Sequence, residues 1–187
     1  GSGTGAIAAW ENAERLAADG RFGENKMRIY ASQNAPFTIM YDSWKAHSRQ
    51  LVPMTPEEGR NKAEVILGKV LSNRKPPYSL AGGLFDVLEK SGGDMFKVSN
   101  DEVVSWVVRY FSAEGYDIFP ASACAVASLK QALDAGVIKH DETVMLNVTG
   151  GGMLGATRKG FILKEPDLVL SPDLPAEEII AAIDKLF

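Results

Sequence analysis

The first ten residues, Gly1-Ser2-Gly3-Thr4-Gly5-Ala6-Ile7-Ala8-Ala9-Trp10, place three glycines on alternate positions and then run straight into good helix formers. Few local structures suit that order. Glycine turns the backbone through φ > 0 and lets N–H groups approach a ligand with no Cβ between them. The helix that follows adds unpaired N–H donors and a partial positive charge, a combination suited to phosphate. Ser2 and Thr4 supply hydroxyl donors to the same oxygens. A phosphate cup is one reading; a flexible tail or an added Gly-Ser-Gly remnant is the other. A nucleoside triphosphate loop fits poorly, because it ends in Gly-Lys-Ser/Thr and the first lysine is Lys26. Gly1-x-Gly3-x-x-Ala6 has dinucleotide spacing, but no strand feeds it. The next strand-like run, Met27–Ala31, also ends in Ser32-Gln33-Asn34, with no carboxylate for a ribose.

Helix and strand signals alternate along the chain. Ile7, Trp10 and Ala13 or Glu14 fall at helical spacing over Ala6–Ala18, and Gly20 stops that helix. Met27–Ala31 reads as a strand. Pro36 suits a first helical position, with Phe37, Met40, Tyr41, Trp44, Ser48 and Leu51 on one face. Thr55-Pro56-Glu57-Glu58 is a capping box, and Ala63, Ile66, Leu67, Val70 and Leu71 form the buried stripe of its helix. Asn73–Tyr78 is a turn, Leu84–Leu88 a short helix closed by Gly92-Gly93, and Met95–Val98 a second strand. Ser99-Asn100-Asp101-Glu102 is a second capping box. It opens a helix that is apolar almost all round, through Val103, Val104, Trp106, Val107, Val108, Tyr110 and Phe111, and such a helix is expected to be deeply packed. Tyr116–Phe119 reads as a third strand and Pro120 to Gly136 as a small-residue helix. Thr143–Val148 is the fourth and clearest strand, and a helix from about Pro175 to Phe187 ends the chain.

The fold class expected is therefore α/β: a mostly parallel, doubly wound sheet with helices on both faces, its 187 residues forming a single domain or most of one. Ligands of such sheets bind beyond the carboxyl ends of the strands. Thr149-Gly150-Gly151-Gly152 stands there, after the fourth strand. It is either a glycine turn by which the chain leaves the sheet, or bare backbone for a flat ligand with the Thr149 hydroxyl facing it. On the second reading the two glycine-rich stretches share one sheet edge. The net charge of −4 argues against a nucleic-acid or anionic-membrane surface, and no apolar run approaches membrane-spanning length. The single cysteine, Cys124, excludes an internal disulfide framework, fits a reducing cytoplasm, and reads as a small buried hydrophobe rather than a reactive thiol. Two histidines and one cysteine give no metal site a credible spacing.

Taken together, Gly1-Ser2-Gly3-Thr4-Gly5 before a helix, Gln33-x-x-Pro36 after the next strand, and Leu146-Asn147-Val148-Thr149-Gly150 resemble the pyridoxal-phosphate enzymes of the tryptophan-synthase-β fold, fold type II. Threonine and cysteine synthases belong to that group. Val148-Thr149-Gly150-Gly151-Gly152 and Phe119-Pro120-Ala121-Ser122-Ala123 are most similar to the archaeal cysteate synthases, relatives of the threonine synthases. The resemblance covers most of the chain. It implies that Gly1, Ser2, Gly3, Thr4 and Gly5 hold the 5′-phosphate of pyridoxal 5′-phosphate and that Thr149 bonds the pyridine nitrogen. A neutral hydroxyl there, in place of a carboxylate, leaves the ring a weaker electron sink, which favours loss of a β-leaving group.

The family's Schiff-base lysine precedes the phosphate loop, and Lys26, Lys45, Lys62, Lys90 and Lys159 do not stand in its context. No catalytic residue is therefore assigned within the chain, which is expected to be the later part of a longer enzyme and inactive alone. The resemblance implies β-replacement on O-phospho-L-serine by sulfite, giving L-cysteate and phosphate on the way to coenzyme M, in a cytoplasmic homo-oligomer. A threonine synthase or another β-replacing relative is the alternative, and a phosphate-binding module without chemistry a third. Anionic substrates call for cations, and Arg28, His47, Arg74 and Arg158 are candidates that the sequence does not rank.

Overall fold

A computed structural model describes residues 1–162 and 164–186. In order, the elements are α1 (Thr4–Asp19), β1 (Tyr30–Asn34), α2 (Ile39–Lys45), α3 (Pro56–Val65), a 3-10 turn (Lys69–Leu71), α4 (Leu84–Ser91), β2 (Asp94–Val98), α5 (Asn100–Glu114), α6 (Pro120–Asp134), α7 (Met153–Arg158) and α8 (Ala176–Ile183). The chain gathers into two compact units, Gly1–Met153 and the segment from Leu154 onward. Among the described residues no helix is long and apolar enough to cross a membrane.

Both capping boxes form. The Thr55 hydroxyl accepts from Glu58 N at 3.1 Å while the Glu58 carboxylate accepts from Thr55 N at 2.8 Å. Ser99 and Glu102 repeat the exchange at the start of α5. Each box satisfies donors that a helix start leaves open. Pro36 behaves differently from expectation. It follows a cis peptide bond and α2 begins only at Ile39. There the Gln33 side chain takes the capping role, its Oε1 accepting from Met40 N (2.8 Å) and Tyr41 N (2.9 Å).

β1 and β2 are parallel, in register from Tyr30 opposite Asp94 to Asn34 opposite Val98. β1 lies three residues later than the apolar run suggests, because the partner strand sets the pairing. Gly93 brings β2 so close to Ile29 that a Cβ on it would stand 1.8 Å from the Ile29 carbonyl oxygen. The ladder then starts at the following residue.

The sheet is smaller than expected. Residues 116–119 make a single antiparallel bridge, Ile118 with Gly151, and residues 143–148 join no ladder among the described residues. The alternation that marked the fourth strand is nevertheless real. Leu146 and Val148 pack on a core cluster, whereas Met145 is 91 % exposed. Alternation orients side chains, but a strand also needs a neighbour for its N–H and C=O groups.

Two apolar clusters carry the first unit. Trp10, Phe37, Met40, Trp44, Tyr78, Leu84, Leu88 and Met95 join α1, α2, α4 and β2. Val98, Val103, Ile118, Ala123, Cys124 and Ala127 join β2, α5 and α6. α5 is not deeply packed, contrary to its composition: Val103 is its buried residue, and Val104 and Val108 are more than half exposed. It rests on α6 by one side only, so its other apolar side remains uncovered among the described residues. The stripe expected past Val65 also breaks. α3 ends there, Ile66 is extended and buried, and Leu67 and Val70 face outward.

In the second unit α8 accounts for most of the closing helix expected from Pro175; Phe187 lies outside the described residues.

Candidate cofactor site

Gly3 is the N-cap of α1, in the left-handed region at φ 79°. A Cβ there would meet Leu84 Cδ2 at 2.9 Å, so the loop is seated on the buried start of α4, and its φ favours glycine. The Ser2 and Thr4 hydroxyls lie 2.7 Å apart, and Thr4 N donates to Ser2 Oγ at 3.3 Å. The amides of Gly5 and Ala6, in the first turn of α1, have no acceptor among the described residues, and the Cβ position of Gly5 opens on free space. Two hydroxyls and two free amides thus converge at a helix start, a donor set that suits a phosphate ester.

The Thr-Gly stretch is anchored by α6. Ser122 Oγ donates to the Gly150 carbonyl and accepts from its amide, each at 3.1 Å, and Phe119 N donates to the same carbonyl at 3.0 Å. Gly152 N donates to Asp117 O at 2.8 Å. The glycines here serve the chain's own packing. A Cβ on Gly151 (φ 151°) would lie 2.1 Å from Asp117 O, and one on Gly150 would lie 2.7 Å from the Phe119 ring. The bare backbone pictured for a flat ligand is therefore covered at both positions, and only Gly152 opens on free space. Thr149 is exposed, and its hydroxyl makes no hydrogen bond among the described residues.

The stretch is anchored on α6, and the loop borders the 3-10 turn, which α6 also contacts. Cys124 lies two residues after Ser122 on α6. The thiol is fully buried, and burial pushes its pKa up to about 11. That is the inert buried cysteine expected, not a nucleophile.

Asn34 escaped the sequence reading except as a missing carboxylate. Fully buried at the carboxyl end of β1, it donates to Val98 O (3.0 Å) and Asn100 Oδ1 (3.1 Å) and accepts from Gly68 N (2.9 Å). Asn100 in turn accepts from Leu67 N (3.1 Å) and donates to Val65 O (2.7 Å). These two amides lash the 65–71 segment to both strand ends. That segment borders the glycine loop, since a Cβ on Gly1 would stand 3.0 Å from Val70 O. Asn34's side-chain partners at Gly68, Val98 and Asn100 lie 34 to 66 residues away, so no local spacing announces them.

The structure ranks the cation candidates. Arg28 is engaged with Glu142 and lies over the Tyr30 ring. His47 closes α2 at φ 50°, beside the Trp44 ring. Arg158 ends α7, in another part of the chain. Among the described residues Arg74 makes no ion pair, and it lines an open groove.

The family model described as pyridoxal-phosphate dependent enzyme matches residues 1–150. Curated relatives include the cysteate synthase of Methanocella paludicola, 44% identical over 186 residues, a match covering 98% of this chain and 43% of that protein. The cysteate synthase of Methanosarcina acetivorans is 41% identical over 182 residues, covering 96% of this chain and 44% of that protein. That of Methanoculleus marisnigri is 46% identical over 153 residues, covering 81% and 36%. The chain spans less than half the length of these relatives. Its donor set at a left-handed glycine fits the phosphate ester of the family's cofactor. By this match over most of its length, the chain belongs to the family of pyridoxal-phosphate-dependent enzymes.

Proposed function

We propose that the chain is the later part of a β-replacement enzyme that converts O-phospho-L-serine and sulfite to L-cysteate and phosphate. The observation that carries this reading is the hydroxyl pair of Ser2 and Thr4 at the start of α1, in a chain whose relatives are cysteate synthases. Gly1, Ser2, Gly3, Thr4 and Gly5 would hold the 5′-phosphate of pyridoxal phosphate through amides and hydroxyls. Thr149 would bond the ring nitrogen with a neutral hydroxyl, which does not enforce its protonation. The cofactor supplies an electron sink for the bond-breaking at the substrate's Cα. Ser122 holds the backbone beside Thr149, and the Asn34–Asn100 pair holds the 65–71 segment beside the loop. The lysine that anchors the cofactor covalently would belong to the preceding part of the longer protein.

On this reading residues 116–119 and 143–148 are strands of a larger, mostly parallel, doubly wound sheet in a single domain. The alternating burial of Met145, Leu146 and Val148 supports that. The enzyme would be a cytoplasmic homo-oligomer acting on small anionic substrates. The test is phosphate release by the full-length protein with pyridoxal phosphate. Turnover is expected with phosphoserine and sulfite together. Turnover with phosphohomoserine instead would overturn the substrate assignment.

A further inference from the structure

Between α3 and the 3-10 turn lies an open groove of about 410 Å³, lined by Gly59, Arg60, Glu64, Lys69, Ser72 and Arg74. Three cations face one carboxylate there, in a chain whose net charge is −4. Arg21, Arg28 and Arg49 each pair with a carboxylate, whereas Arg60 and Arg74 make no hydrogen bond or ion pair among the described residues. Lys69 is held in place by the carbonyls of Ala63 and Glu64 at the end of α3, which leaves one of its three donors open. The Ser72 hydroxyl closes the turn by donating to Lys69 O at 2.7 Å.

Gly59 shows that the Arg74 position is built. It stands within α3, where glycine is the poorest ordinary residue. A Cβ on it would come within 2.8 Å of Arg74 Cδ and 3.4 Å of Cγ. The bare backbone lets the arginine stem cross the helix and bring its guanidinium beside the groove. The turn that carries Lys69 is also the turn whose Val70 carbonyl borders Gly1, so the groove flanks the phosphate loop.

We propose that this groove is a second oxyanion site, separate from the loop, which takes the tetrahedral anionic group of a small molecule. Two unpaired guanidinium groups and an ammonium suit phosphate or sulfate oxygens, since arginine binds them through paired donors. The group is either the phosphate of the amino-acid substrate or a free oxyanion. Assigning it to the substrate rests on the phosphoserine reading above; the site itself does not.

The full-length protein, its loop filled by pyridoxal phosphate, is titrated calorimetrically with inorganic phosphate, sulfate and O-phospho-L-serine. In R60Q/R74Q at least one of these should bind about tenfold or more weakly per arginine removed, while Arg74→Lys keeps most of the affinity. The ligand that loses affinity names the source. Unchanged affinity for all three overturns the site. Should R60Q/R74Q fail to fold, Gly59→Ala decides the matter. Alanine favours the helix yet displaces the Arg74 stem, so weaker anion binding supports the site and unchanged binding overturns it. If the protein takes up no pyridoxal phosphate, the cofactor reading fails. The same titrations in a Ser2→Ala/Thr4→Val background, with the loop's hydroxyls removed, still test the groove.

Discussion

Ser122 and Gly150 hold each other twice, the one hydroxyl donating to the carbonyl and accepting from the amide of the same residue, at 3.1 Å each way. Ser122 is 2 % exposed, so water does not readily replace it. Ser122→Ala leaves the Gly150 amide without its partner, a loss of about 1–3 kcal/mol. Urea unfolding should show a lower midpoint at unchanged slope. Hydrogen exchange at residues 149–152 should accelerate more than at α1. Equal acceleration everywhere would mean that the bond serves global stability and not the local placement of Thr149.

Gly151→Ala is expected to be among the most damaging single changes. Its Cβ would sit 2.1 Å from a backbone oxygen, which cannot swing aside as a side chain can. The φ of 151° adds strain. A loss beyond about 3 kcal/mol follows from such overlap, and thermal unfolding reads it. Gly152→Ala meets no atom within 4 Å, so it suffers only from its φ of 78° and should cost less.

Asp94 makes stability depend on acid. Burial works to raise its pKa, but bonds from the Lys45 ammonium, the Met95 amide and the Trp44 indole outweigh burial and hold the carboxyl below its ordinary value. A depressed folded-state pKa contributes stability in full above the unfolded value of about 4, and that stability is lost as pH falls through the folded value. Stability against urea, followed from pH 6 to pH 3, should therefore fall more steeply in the parent than in Asp94→Asn. Parallel curves would remove Asp94 from the account.

Cys124 should resist alkylation. With the thiol raised to about 11 by burial, its thiolate at pH 8 is rarer by about a hundredfold than that of an ordinary cysteine, before steric access is counted. Iodoacetamide labelling in the folded protein should lag the urea-unfolded control by at least that factor. A rate near the control would show that α6 opens readily.

What the sequence revealed was local. The boxes at Thr55 and Ser99 were legible because donor and acceptor lie three residues apart. Gly20 and Gly92 were legible as helix stops because a left-handed residue after a helix needs no distant information. The fourth strand was legible as alternation, but its missing ladder was not, since pairing belongs to two segments at once. The exposure of Val104 and Val108 shows the same limit, because composition states what a face can bury and not what arrives to cover it. Of the candidate site, Ser2, Thr4 and Thr149 could be named in advance. Ser122, Asn34 and Arg60 could not, because their roles arise from segments brought together by folding.

The lashing of Asn34 to Asn100 is made of uncharged amides, and that has a consequence for the anion site proposed beside it. A carboxylate–ammonium tie in that place would feel each arriving oxyanion through its field and would slacken in salt. An amide has no charge to be screened and no proton to gain near neutral pH. The 65–71 segment is thus braced beside the loop by uncharged ties, which salt does not loosen as it would an ion pair.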